Sequence, residues 1–381
     1  MGKTFKLTDI LLTIPLDVLR AAIANQLPVA ETQGLIVSLC RDPEQNDSPY
    51  HQIATVTFPG QEPAALSKCK EDVPVSWDLV GVGIVVADVD FYNMTPLYAA
   101  TNPRCDIIAV TGLAGHGFGS WKSRGKHDMW LRDFLPQDLK KLQPRILTWG
   151  YDAKLTKSET QNNLVEYGRQ FMDAVNAIRE DKYRPIIFIG HSFGGLVIKQ
   201  ALCNPNTEIN SMDEQIYNSC AGIFFFGVPN KGLNHENLLG MVEEAPSKAL
   251  VEDLVLKTNA LQVAYENFLQ YFRTDDLHFT SYYETKLSPT VSKNATTGKF
   301  ERTGLKVMMV TKDSAMWTSP NQAIQKMVPI DADHSEIVKF MSLTDVNYLD
   351  VRGRIERCMA DSQRVILERW RKLGRPLEEP I

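Results

Sequence analysis

Ser192 stands in the pentapeptide Gly190-His191-Ser192-Phe193-Gly194, inside the stretch RPIIFIGHSFGGLVIKQAL, residues 184–202. A serine hydroxyl is a poor nucleophile at neutral pH, so chemistry at Ser192 requires a base and an exposed, sharply turned backbone. Before it, Pro185 to Ile189 is a short isoleucine-rich run bounded by Pro and Gly, the pattern of a buried strand. After it, Leu196, Val197 and Ala201 recur at helical spacing. A strand that passes at once into a helix is the context a G-x-S-x-G nucleophile elbow requires. Side chains at Gly190 and Gly194 would collide with strand and helix at such a turn. The helix that begins after Ser192 aims backbone N–H groups at a developing oxyanion, which makes the N–H of Phe193 the first candidate donor.

An oxyanion hole needs a second backbone donor from the loop after an earlier strand. The stretch IIAVTGLAGHGFGSW, residues 107–121, has the form of that loop, with the N–H of Leu113 as candidate donor. It does not fit a phosphate loop: five residues separate Gly119 from Gly125-Lys126, and His127 stands where Ser or Thr is needed. His191 is read as packing at the elbow, and Asp152 as a solvated loop residue after a strand end.

The segments IIAVTGLAGHGFGSW, WLRDFLP, LTWGYDA, RPIIFIGHSFGGLVIKQAL, GIFFFGVPNKG and DADHSEIVKF follow one another in that order. Over about residues 96–360 they resemble the α/β-hydrolase domain of serine-active-site-containing lipase-like proteins and of the N-terminal hydrolase modules of fungal NOD-like receptors. Two positions depart from that pattern: Thr111, where lipases commonly carry His, and GVPNKG, where relatives often carry a Thr-Pro-His segment. The resemblance implies a chain order of serine, acid, histidine. His235, His278 and His334 follow Ser192; of these only His334 lies after the last expected strand, Leu305 to Thr311, in a loop before an expected helix with Ile337, Val338 and Phe340. For the acid, Glu284 ends the expected penultimate strand, and Asp313, after the last one, is the runner-up. Asp331 and Asp333 are close enough to His334 in sequence to cap or solvate. An ester of a small molecule or lipid is the implied substrate, with no metal or other cofactor.

The elements that must position these residues form two regions. Residues 1–95 read as β-α-β-β-α-β, the order of a small ferredoxin-like α+β extension. It contains a half-buried strand at Ile53 to Phe58, a second helix after Pro63 and a strand at Val82 to Val89. That order also suits an RNA-recognition fold, but HQIATVTF lacks the basic residue, the glycines and the first stacking aromatic of such a motif. Residues 96–360 alternate strands and helices, which implies a mostly parallel sheet covered on both faces. Expected helices include Trp130 to Leu139, one opened by a capping box at Ser158 to Gln161 with Leu164, Tyr167, Phe171, Val175 and Ile178 on one face, and a lid candidate over 234–272. Within that candidate, Leu250, Leu254, Leu261 and Phe268 read as helix packing. Residues 361–381 read as a helix end and tail.

The chain has 381 residues, 44% apolar and 23% charged, enough for a packed core, and its net charge of −5 gives no general case for nucleic acid or anionic membranes. Six scattered cysteines form neither a zinc pattern nor a disulfide framework. Asp9 and Asp17 interrupt the first apolar stretch, and no run reaches the length of a membrane span, so a soluble cytoplasmic protein is expected. Three functions compete: a serine ester hydrolase, a hydrolase-fold signalling or binding module with weak or no turnover and room for an unidentified protein partner, and RNA binding by the N-terminal extension.

Overall fold

The computed structural model describes residues 3–44, 50–154, 160–203, 212–233, 248–254, 261–263, 266–268, 276–290, 292–293, 300–301, 303–316 and 325–374. The chain divides into two compact units, Met1–Ile107 with His116–Tyr151 and Phe340–Arg352, and Ile108–Gly115 with Asp152–Lys339 and Gly353–Ile381.

In the first unit, β1 (Lys3–Leu11), β2 (Ile36–Arg41), β3 (His51–Phe58), β4 (Val75–Leu79) and β5 (Gly83–Asp88) form an antiparallel sheet of order β2-β3-β1-β5-β4. The helix Leu16–Gln26 buries Leu19, Ala22 and Ile23 against the core of Phe5, Leu7, Val56 and Val85. The order β2-β3-β1-β5 is that of a ferredoxin-like sheet. The expected second helix is reduced to a single turn at Ala64–Leu66, and the unforeseen β4 pairs with β5 instead. Pro59, Gly60, Pro63, Pro74 and Gly81 punctuate this segment too densely for a helix. β3 alternates apolar and polar residues but is not half-buried. Its Thr55 and Thr57 are fully buried and accept hydrogen bonds from the Arg132 guanidinium, at 3.2 and 2.9 Å. The expected helix over 130–139 is two short pieces, Trp130–Asp133 and Leu135–Leu139, the second with Pro136 in its first turn.

Seven strands make the larger sheet. β6 (Asn93–Ala99), β7 (Cys105–Val110), β8 (Pro144–Gly150), β9 (Ile186–His191), β10 (Cys220–Phe226) and β11 (His278–Glu284) join the strand Gln325–Ile330. Their order is Gln325–Ile330, β11, β10, β9, β7, β8, β6. β9, β10, β11 and Gln325–Ile330 run parallel, and β6 runs antiparallel to β8. β9 and β10 are buried at every position, as the apolar runs IIFIGH and CAGIFFF require of strands covered on both faces. This strand order, with helices between the parallel strands, is the α/β-hydrolase fold.

Leu305 to Thr311 is not a sheet strand. Only Lys306–Val307 is extended, and it pairs antiparallel with Ser288–Pro289. The last strand is Gln325–Ile330, whose Pro329 disguises it in the sequence; at a sheet edge a missing N–H is tolerated. The helix Leu164–Ala177 buries Leu164, Tyr167, Phe171 and Val175, but its capping box is Asn163 with Glu166 rather than the expected one, of which Ser158 and Glu159 lie outside the described residues. Gly168 lets this helix approach Phe193–Leu202, since a Cβ there would stand 2.6 Å from Gln200 Cγ. After His334 there is no helix until Val346–Lys372; Asp333 caps only a turn, accepting the N–H groups of Ser335 and Glu336. Most of the lid candidate, with His235, lies outside the described residues; within it Lys248–Asp253 is helical, and Leu250, Leu254, Leu261 and Phe268 are buried.

Candidate active site

Ser192 follows β9 directly and caps the helix Phe193–Leu202 with φ 52° and ψ −126°, a strained conformation for a residue with a side chain. Its N–H donates to the Phe226 carbonyl at the end of β10, 2.9 Å away. The glycines make the turn sterically possible. A Cβ on Gly190 would stand 2.6 Å from Gly195 Cα, and one on Gly194 would strike the carbonyl oxygens of Val110 and Thr111.

His334 comes from the loop after the edge strand Gln325–Ile330. Its Nε2 lies 2.9 Å from Ser192 Oγ, and its Nδ1 lies 2.6 Å from Glu284 Oε2. Glu284 is the last residue of β11, with a fully buried side chain. Its other oxygen accepts the N–H of Val310 at 3.0 Å. A carboxylate that accepts Nδ1–H fixes the tautomer in which Nε2 turns its lone pair to the serine hydroxyl. The three residues named separately from the sequence thus form one hydrogen-bonded line.

Asp313 does not join it. The strand expected to present it is absent from the sheet, and it sits on the short helix Lys312–Ala315, largely exposed, with Lys231 Nζ at 2.8 Å. Asp331 pairs with Lys286. Asp152 Oδ1 accepts the N–H of Lys154, and its carbonyl accepts the Tyr167 hydroxyl, so it shapes its own loop.

In the loop after β7, Gly112 lies so close to the elbow that a Cβ there would stand 2.8 Å from Ser192 Cβ. The Gly112–Leu113 peptide therefore borders Ser192, as Phe193 does from the helix. The turn is held by Ala114 N–H donating to the Ala153 carbonyl and Gly115 N–H donating to that of Gly112.

Three contributors escaped sequence reasoning. His191 does more than pack: its Nε2 lies 2.9 Å from the His334 carbonyl oxygen, and as donor it pins the base's main chain. Ser288 Oγ accepts the His334 N–H at 2.9 Å; it belongs to a two-residue strand too short to give a periodic signal. Lys199 is buried in the elbow helix, donates to Asn230 Oδ1 and lies near the rings of Phe225 and Phe268. Burial pushes its amine down to about 7. A lysine amid LVIKQAL was the available signal for an unusual environment.

Among the described residues no group of His, Cys, Asp and Glu is placed to hold a metal ion, and no helix is long and apolar enough to cross a membrane.

No family model matches the chain. It is similar to Protein SERAC1 of Bos taurus, 23% identical over 272 residues, and to Protein SERAC1 of Homo sapiens, 22% identical over 269. Each match covers 65% of this chain and 38% of the relative, so the chain spans well under half the length of these curated relatives. They are animal proteins, not the fungal receptor modules of the expected resemblance. Among solved structures, the chain is similar to a Bacillus licheniformis lipase, BlEst2, with TM-score 0.45 and 13% identity over 65% of this chain and 50% of that one. A Thermogutta terrifontis esterase, Est2, gives TM-score 0.36 and 14% identity over 75% and 91%.

Proposed function

We propose that the chain hydrolyses a carboxylic ester by a serine mechanism. Ser192 Oγ attacks the carbonyl carbon while His334 Nε2 takes its proton, and Glu284 steadies the imidazolium that forms. The N–H groups of Phe193 and Leu113 receive the oxyanion. His334 then returns its proton to the departing alcohol, leaving an acyl group on Ser192. A water deprotonated by His334 releases the acid and restores the serine. The observation that carries this reading is the hydrogen-bonded line Glu284–His334–Ser192 ending on a strained serine.

The substrate class is an ester of a small molecule or lipid. A fluorophosphonate probe tests the proposal. Wild type is expected to be labelled at Ser192 and to turn over at least one member of a panel of p-nitrophenyl esters, and folded Ser192→Ala to do neither. A folded wild type that takes no probe and cleaves no ester would favour a binding module instead.

A further inference from the structure

The unit that carries the triad also holds a cavity of about 320 Å³ at the opposite, amino-terminal edge of its parallel strands. His278 and Phe279 line it from the start of β11, Lys326 from the start of the edge strand, and Arg354 and Arg357 from the C-terminal helix. Glu284 is at the far end of β11, about 20 Å away at the rise of an extended chain. The cavity is therefore separate from the site around Ser192.

Its chemistry is uneven. The floor is apolar, with Phe224, Leu277 and Phe279 all nearly fully buried, and the rim carries the exposed side chains of Lys326 and Arg357. One carboxylate lines the cavity, Asp276, and its Oδ1 accepts from Arg369 at 2.6 Å; Asp361 faces His278 Nε2 at 3.5 Å and Arg364 at 3.8 Å. Lys326, Arg354 and Arg357 thus share one opening with Asp276, above an apolar floor.

We propose that this cavity binds a phosphate group, held by Lys326, Arg354 and Arg357, with the floor free to receive an organic substituent. Planar guanidinium groups match phosphate oxygens in pairs, and an ammonium adds a point charge. The volume lies within the range of small-molecule sites. His278 reports on the site. Burial, then the charges of Arg357 and Arg364, hold its imidazole below the ordinary value, against Asp361 and Asp276. A bound anion offsets those positive charges, so the imidazole must titrate higher when the site is filled.

The test is NMR titration of the His278 ring in the full chain, assigned with His278→Gln, using inorganic phosphate and phenyl phosphate as probes. The expected result is a saturable upward shift of the His278 titration that weakens with added sodium chloride. Lys326→Ala and Arg357→Ala should each weaken binding about 5- to 10-fold, and together abolish saturation. Both side chains are exposed, so the fold should persist by circular dichroism. Tighter binding of phenyl phosphate identifies an organic phosphate as the ligand, and equal binding identifies free phosphate; either supports the site. No saturable shift, undiminished binding in the double variant, or equal binding of butyrate would overturn it. Ser192→Ala should leave the titration unchanged, which keeps this outcome apart from that of the esterase reading.

Discussion

Val310 donates its backbone N–H to Glu284 Oε1 at 3.0 Å, while Oε2 of the same carboxylate lies 2.6 Å from His334 Nδ1. The main chain thus sets the rotation of the carboxylate. One oxygen is committed to a fixed donor, and only the other faces the imidazole. This makes the acid's orientation a property of the loop after Lys306–Val307 as well as of β11.

The consequence for substitution is specific. In Glu284→Gln the amide oxygen must stay with the Val310 N–H, so its NH₂ faces His334 Nδ1. That donor enforces the other imidazole tautomer, with Nε2–H pointing at Ser192 and unable to accept its proton. Ester turnover should fall about 10²- to 10⁴-fold with the fold retained. Asp313→Asn removes only the exposed pair with Lys231 and should change turnover by less than about twofold. The measurement is kcat for both variants on one ester, and the reverse ranking would move the acid to Asp313.

The elbow was legible because three signals coincide there: an apolar run, two glycines and a helical period, all within 184–202. Interior strands such as β9 and β10 were legible for the same reason, being apolar on both faces. The edge strand Gln325–Ile330 was not, because edge position tolerates Lys326 and Pro329, which a central strand would exclude. β3 misled in the other direction. Its alternating pattern signals one wet face, yet Arg132, distant in sequence, seals that face by bonding Thr55 and Thr57. Ser288 and His191 steady the base through its main chain, a role that no residue spacing encodes.

Gly227 should not tolerate even a methyl group. Its φ is +54°, and a Cβ there would stand 3.0 Å from His334 Nδ1 and 3.5 Å from Glu284 Oε2. Gly227→Ala adds left-handed strain of about 1–2 kcal/mol and pushes on the hydrogen bond that orients the base. Denaturant melts should show that loss of stability. Turnover should drop by about 3- to 10-fold, because the His334 ring must give way by a fraction of the 1 Å misplacement that costs about 10²-fold. Unchanged kcat in a folded Gly227→Ala would show that the base tolerates displacement there.

Lys199 predicts a pH dependence of stability. Burial lowers its folded-state titration to about 7, below its ordinary value near 10.5. Between those values the unfolded chain binds the proton and the folded one does not, so wild-type stability should rise with pH across the window and be flat in this respect below about 7. Lys199→Met lacks the group and should lack the rise. The check is urea denaturation of both proteins at pH 7, 8, 9 and 10, plotted as the difference in unfolding free energy. The wild type should gain on the variant at each step. A constant difference would place the Lys199 amine near its ordinary value.

The strongest demand falls on Ser192 and His334, which the esterase reading treats as a single device. The hydroxyl is reactive only while Nε2, 2.9 Å away, can take its proton, and the imidazole is useful in the first step only while that hydroxyl is present. Ser192→Ala and His334→Ala should each lower kcat about 10⁴- to 10⁶-fold, and the double variant should lose little beyond either one. Residual rate above the uncatalysed reaction would come from the Phe193 and Leu113 N–H groups, a single such donor being worth about 3–4 kcal/mol. The series requires an ester that wild type cleaves, the three variants, and circular dichroism on each. Multiplicative losses in the double variant would mean that serine and histidine act independently. A fully active, folded Ser192→Ala would mean that the strained elbow has some purpose other than attack on an ester.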